Sequence, residues 1–125
     1  MRGPMSLTRR QLGQKGEELC ARFLQEQGYR IVARNYRHGP WELDVLAVRE
    51  DTLVVAEVKS FHARPLGTAE MRINRKKQQA LYLGIDAFLA ENSQFKDYNV
   101  RIDIFIIDFS RYPADITHYP GVIFE

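Results

Sequence analysis

Four ionisable residues in two short runs could do chemistry in this 125-residue chain: Glu42 and Asp44 within W-E-L-D-V-L, and Glu57 and Lys59 within A-E-V-K. Side chains alternate across a strand, so Glu42 shares a face with Asp44, and Glu57 with Lys59. Only Glu50 and Asp51 separate the two β-rich runs, Trp41 to Arg49 and Thr52 to Ser60, which predicts a tight hairpin without the usual turn glycine. If Arg49 pairs with Thr52, counting back sets Asp44 opposite Glu57 and Glu42 opposite Lys59, with all four on one face. Two opposed carboxylates are unfavourable, and their neighbours Leu43, Val45, Leu46, Val54, Val55, Ala56 and Val58 are apolar. A divalent cation is the economical remedy. Mg²⁺ (or Mn²⁺) commonly takes one or two protein carboxylates and fills its other positions with water and phosphate oxygens. Lys59 then positions or deprotonates an attacking water, or neutralises charge on a pentavalent phosphorus. The plainer alternative is an exposed sheet face with weak cross-strand ion pairs, Glu42 with Lys59 for example. Placement in a core hairpin weighs against it, because charges there need a reason.

The elements that must position these residues are legible from periodicity. Leu12, Gly16, Leu19, Cys20, Phe23 and Leu24 recur at helical spacing, with Thr8 as N-cap and Gly28 as stop. Tyr29 to Tyr36 reads as a strand and Arg37 to Pro40 as a turn. Beyond the hairpin, Phe61 to Met71 is a loop leading to a second helix from about Ile73 to Ala90, with the stripe Ile73, Ala80, Leu81, Gly84, Ala87 and Phe88. Val100 to Phe109 is dense enough in Ile and Phe to be buried on both faces, and Ile116 to Phe124 adds a last strand. The order αβββαββ predicts an α/β fold, a central mixed β-sheet flanked by helices.

With 45% apolar and 27% charged residues the chain reads as one domain, residues 1–7 being a flexible extension. The lone Cys20 falls on the first helix's apolar stripe and fits a reducing compartment. No run approaches the roughly 18 apolar residues of a membrane span, and the first residues lack a signal peptide's apolar stretch, so a cytoplasmic protein without a membrane partner is expected. The net charge of +2 permits nucleic acid as a partner without requiring it. Cations concentrate between His62 and Gln79, where Arg64, Arg72, Arg75, Lys76 and Lys77 face a single acid, Glu70. This stretch is either a phosphate-facing patch or a solvated helix start.

The ordered set G-E at Gly16-Glu17, E-L-D-V-L-A from Glu42, V-V-A-E-V-K from Val54, Lys77, A-F-L from Ala87 and R-I-D-I from Arg101 resembles the YraN family, named as endonucleases by analogy, over about residues 12 to 124. That family is placed in the restriction-endonuclease-like superfamily, whose signature is an acid followed by E-x-K on a hairpin and which includes archaeal Holliday-junction resolvases. The resemblance implies that Asp44 and Glu57 bind metal, that Lys59 is catalytic, that Glu17 reaches the site from the first helix, and that the main-chain carbonyl of Val58 contributes a ligand. It also implies DNA, ahead of RNA, as the partner, and a homodimer like the resolvases, although no segment marks a self-complementary surface. The chain departs from the family pattern at Trp41, where Gly is usual, and at Ser60-Phe61, where Thr-Arg is usual, which removes a cation near the site.

Several residues carry two readings. Glu17 is a third metal-site carboxylate or a solvated helix glutamate beside Glu18. Lys77, near the second helix's stripe, reaches the hairpin carboxylates or snorkels. Gln78 and Tyr82 match a Q-x-x-x-Y spacing found in an exonuclease branch of the same superfamily, a weak signal, and Glu42 is a separate candidate accessory group. His38, His62 and His118 lack companion cysteines, which argues against zinc. Trp41, Tyr36 and Phe61 near the hairpin ends are placed to stack on bases, whereas Tyr29, Phe88, Phe105 and Phe109 read as core. The leading expectation is therefore a Mg²⁺-dependent nuclease, the alternative a non-catalytic nucleic-acid-binding module that keeps the fold. A protein-interaction domain has no positive sign in the sequence.

Overall fold

The computed structural model describes residues 7–62 and 73–124. Helix α1 (Arg9–Glu26) is followed by strands β1 (Arg30–His38), β2 (Trp41–Arg49) and β3 (Thr52–Phe61), helix α2 (Arg75–Glu91), a 3-10 turn (Ser93–Phe95), and strands β4 (Asn99–Asp108) and β5 (Asp115–Tyr119). The strands form one sheet in chain order, antiparallel except for the parallel pair β3/β4. The mixed α/β architecture and the element order thus agree with the sequence pattern.

Local chemistry accounts for the boundaries. Thr8 and Gln11 form a reciprocal capping box at the start of α1, satisfying two otherwise orphaned donors. Gly28, at φ +91°, lets the chain leave the helix. Asn74 caps α2 by accepting from the N–H of Lys77, so the helix starts at Arg75 and not at Ile73. The β2/β3 turn closes without glycine because Glu50 itself takes the left-handed conformation, φ +54°. The last strand ends at Tyr119, five residues short of Phe124. Pro120 offers no N–H to a ladder, Gly121 turns the chain at φ +62°, and the tail re-attaches when the N–H of Val122 donates to the carbonyl of Ile102.

The sheet is buried on both sides, one helix to each. Cys20, Ala21 and Leu24 of α1 pack on Val45, Ala47, Val54, Ala56, Phe105 and Ile107. Leu81, Ile85 and Phe88 of α2 pack on Leu43, Leu46, Val55, Ile104 and Ile106 from the other side. Ile85 belongs to this stripe although the sequence reading omits it. Each fully buried Leu, Ile or Phe contributes roughly 1.5–3 kcal/mol, so these two layers are what hold the hairpin rigid. β4 is buried along most of its length, as its Ile- and Phe-rich run predicts. Among the described residues no helix is long and apolar enough to cross a membrane.

Candidate metal centre

The hairpin register is the predicted one as far as it runs: Arg49 pairs with Thr52 and the ladder continues to Val45 opposite Ala56. The next pair would be Asp44 with Glu57, and there the ladder stops. The Oδ2 of Asp44 accepts instead from the N–H of Val58 at 2.8 Å, taking the place of a main-chain carbonyl. Alternation fails at the same point. Leu43 lies in the α2-side core and Val45 in the α1-side core although only two positions separate them. The flanking strand is irregular at the same level. Arg34 pairs with Val45 and Tyr36 with Leu43, so Asn35, left-handed at φ +52°, falls opposite Asp44. Arg34 then faces the α1 side and Tyr36 the α2 side.

The expectation of four side chains on one face is thereby corrected. Asp44 turns into the gap between β2 and β3 because the strands part there and its carboxylate satisfies the freed donor. Glu57 is 5% exposed and keeps the α2-side alternation, with Lys59 two residues along the same strand. Glu42 forms its ion pair with Arg37, its cross-strand partner on β1, at 2.8 Å.

Electrostatics single out the Asp44–Glu57 pair. Burial, then the charge of Glu57, pushes the Asp44 carboxyl up to about 8, against the bond from Val58 and the charge of Lys77. Lys77 reaches over from α2 and places Nζ 3.2 Å from Oε2 of Glu57, its side chain 41% exposed. Glu57 holds the Lys77 ammonium above its ordinary pKa despite partial burial. Glu17 sits beside the pair. Burial and the charge of Asp44 raise its carboxyl, while Asn35 and Arg34 act the other way. One oxygen of Glu57 and one of Glu17 are buried without a hydrogen-bond partner among the described residues, as is the hydroxyl of Ser60. α1 comes this close to β3 because Gly16 has no side chain: a Cβ there would lie 1.9 Å from the Ser60 hydroxyl oxygen.

A hard divalent cation fits this donor set, since a buried carboxylate oxygen with nothing to accept from is stabilised by a cation and two carboxylates with water suffice for magnesium. Among the described residues no three His, Cys, Asp or Glu side chains are gathered round a common point, so Glu17 stands as a neighbour of the pair. The N–H and C=O of one strand residue point to the same side, so the carbonyl of Val58 faces the same gap as its N–H.

The remaining candidates scatter. Arg64 and Arg72 lie outside the described residues, and Arg75 and Lys76 are exposed in the first turn of α2. The Gln78 amide donates to the Ile73 carbonyl at 2.8 Å, and Tyr82 is exposed with its ring against Phe124. Trp41 stacks on His38, Tyr36 packs edge-on to Phe88 and bonds Glu91, and Phe61 packs on the α2-side core. Cys20 is fully buried, and burial raises its thiol pKa well above the ordinary range. Sequence reasoning missed Asn35, although asparagine's tolerance of the left-handed region was a usable signal. It also missed a second polar cluster. Asp103, with no exposure, accepts from Arg101 twice and from the N–H of Gly121, and bonds Nε2 of His118 at 2.8 Å.

The profile of the family described as Uncharacterised protein family UPF0102 matches residues 16–107, which contain Glu17, Asp44, Glu57 and Lys77. A UPF0102 protein of Desulforamulus reducens is 37% identical over 108 residues, covering 86% of this chain and 88% of its own. One of Carboxydothermus hydrogenoformans is 32% identical over 117 residues, covering 94% and 98%. One of Flavobacterium johnsoniae is 36% identical over 99 residues, covering 78% and 80%. With its site residues inside the matched region and its near-full length shared with these relatives, the chain belongs to the UPF0102 family.

Proposed function

We propose that this protein is a Mg²⁺- or Mn²⁺-dependent nuclease with a restriction-endonuclease-like fold, hydrolysing phosphodiester bonds in DNA. The observation that carries the reading is the buried Asp44–Glu57 pair at the splayed end of a core hairpin, with an oxygen of Glu57 that has no hydrogen-bond partner among the described residues. Two helices on opposite faces of a mixed sheet in the order αβββαββ support it, as the likeness to the YraN family implies.

Asp44 and Glu57 would hold the ion, with the Val58 carbonyl on the same side and Glu17 steadying the water shell beside Asp44. Bound metal supplies a water of lowered pKa and charge stabilisation at phosphorus. Lys59, two residues beyond Glu57, is the group placed to orient or deprotonate that water. Lys77 pairs with Glu57 and would add positive charge where a phosphate arrives.

The test is incubation of wild type and Asp44→Asn with branched, nicked and single-stranded DNA, with Mg²⁺, Mn²⁺ or chelator. Metal-dependent cleavage by wild type alone is expected. Cleavage by Asp44→Asn at the wild-type rate would overturn the assignment.

A second reading has one observation in its favour. Lys77 already neutralises Glu57 without any metal, as a binding module that keeps the nuclease fold would need. It predicts DNA binding that is indifferent to chelator and unaccompanied by cleavage.

A further inference from the structure

A cleft of about 440 Å³ opens between α1 and β1 on the side of the sheet away from α2, lined by Leu7, Gln11, Gln14, Lys15, Glu18, Arg34 and Asn35. Its chemistry is that of a donor-rich, cationic surface. Two side-chain amides of glutamine, one of asparagine, an ammonium and a guanidinium face it, and its one acid, Glu18, is tied to Arg22 at 3.1 Å. Lys15 and Arg34 form no salt bridge among the described residues.

The cleft shares a wall with the carboxylate centre. Asn35 lines it and also, with the charge of Arg34, acts to lower the pKa of the Glu17 carboxyl. The helix beside it is built against its own dipole. The first turn of α1 holds Arg9 and Arg10 and no acid, and the first turn of α2, across the sheet, holds Arg75, Lys76 and Lys77 and no acid. Cations there are unfavourable at low salt, and a polyanion alongside would offset that.

We propose that the α1–β1 cleft seats the sugar-phosphate backbone of a single nucleic-acid strand on the flank of the carboxylate centre opposite α2, with Lys15 and Arg34 on phosphates and Gln14 and Asn35 on sugar or base edges. The proposal rests on the nucleic-acid reading above and deepens it. The carboxylate centre would then have cations on both faces of the sheet, Lys15 and Arg34 on the α1 side and Lys77 on the α2 side. The basic start of α2, Arg75 to Lys77, is then only one of two cationic surfaces.

The test is fluorescence anisotropy of a 5′-labelled single strand and a branched DNA with Ca²⁺ in place of Mg²⁺, as a function of salt. It compares wild type, Lys15→Gln/Arg34→Gln, and Lys96→Glu, which changes net charge equally. Lys96 lies just before β4, at the sheet end where Thr52 pairs with Asn99, away from Glu57. Loss of two phosphate contacts lowers the slope of log K against log salt by about 1.4–1.8 and weakens binding at least about fivefold at 0.1 M salt. Lys96→Glu should leave the slope unchanged. Wild-type binding with an unaltered slope in the double variant, or an equal loss in Lys96→Glu, overturns the cleft while leaving the nuclease reading standing. No binding by wild type to any strand overturns both.

Discussion

Asp44 completes the hairpin that it interrupts: its Oδ2 accepts from the N–H of Val58 at 2.8 Å where the β2/β3 ladder ends at Val45 and Ala56. A carboxylate in that position caps an open strand edge, yet it lies against buried Glu57, and burial followed by the charge of Glu57 pushes its pKa up to about 8. Its position is costly to the apo protein unless a proton or a metal ion sits with it.

The folded pKa of Asp44 is raised above its ordinary value of 3.8, so its favourable contribution is complete below that value and is lost as pH rises through about 8. Metal-free wild type should therefore lose stability between pH 5 and 9, and Asp44→Asn should lose less, ending about 1–2 kcal/mol above wild type at pH 9. Urea unfolding across that range, with chelator present, reads the difference. Parallel curves for the two proteins would mean that Asp44 carries no such proton.

Lys77 and Glu57 make the second testable pair. Removing the ammonium with Lys77→Met leaves the buried Glu57 carboxylate without its ion-pair partner from α2. Because Lys77 is 41% exposed, the loss should be nearer 1–2 kcal/mol than the 3–5 of a fully buried pair. Saturating Mg²⁺ should restore most of it by binding the native state alone, about 2.7 kcal/mol at a hundredfold excess over Kd. A thermal shift with Mg²⁺ no larger than that with Na⁺ at equal ionic strength would argue against a metal at Glu57.

The hairpin register, the capped α1 and the buried β4 were legible because each is written locally: a two-residue gap, Thr8 with Gln11, a run of Ile and Phe. The geometry at Asp44 was not. Strand alternation puts Glu42, Asp44, Glu57 and Lys59 together, but the left-handed Asn35 and the parting of β2 from β3 turn Asp44 into the gap, and Arg37 on a third strand takes Glu42. Neither effect is a property of the hairpin's own sequence. Lys77 was a weak expectation because its reach depends on how α2 crosses the sheet. The Asp103–His118–Arg101 cluster stayed hidden because its members meet only through the β4/β5 register and the returning tail.

Gly16 and Ser60 set how close α1 comes to β3. A Cβ at Gly16 would lie 1.9 Å from the Ser60 hydroxyl oxygen and 3.2 Å from its Cβ, so Gly16→Ala should destabilise by about 1–3 kcal/mol and withdraw Glu17 from Asp44. Ser60→Ala alone should be neutral or slightly stabilising, since it removes a buried hydroxyl without a partner among the described residues. The double variant should recover at least half the loss. An additive double-mutant cycle would show that the two sites do not touch.

Asp103 is the sternest test of the fold, because it is fully buried and joins Arg101 of its own strand to His118 on β5 and Gly121 on the returning tail. Burial alone would raise its carboxyl, but bonds from Arg101, the N–H of Gly121 and His118 outweigh that and hold its pKa below 3.8. A depressed folded pKa contributes stability that is present above 3.8 and lost as pH falls through the folded value. Asp103→Asn keeps the shape while removing the charge beneath Arg101, and should cost about 3–5 kcal/mol at pH 7. The penalty should shrink on acidification below about 3.8, where the unfolded wild type takes up a proton before the folded one does. Urea unfolding at pH 7 and pH 3.5 measures both proteins, and a penalty equal at the two values would mean that folding leaves the Asp103 carboxyl unshifted and that the clamp on the β5 tail is made by shape alone.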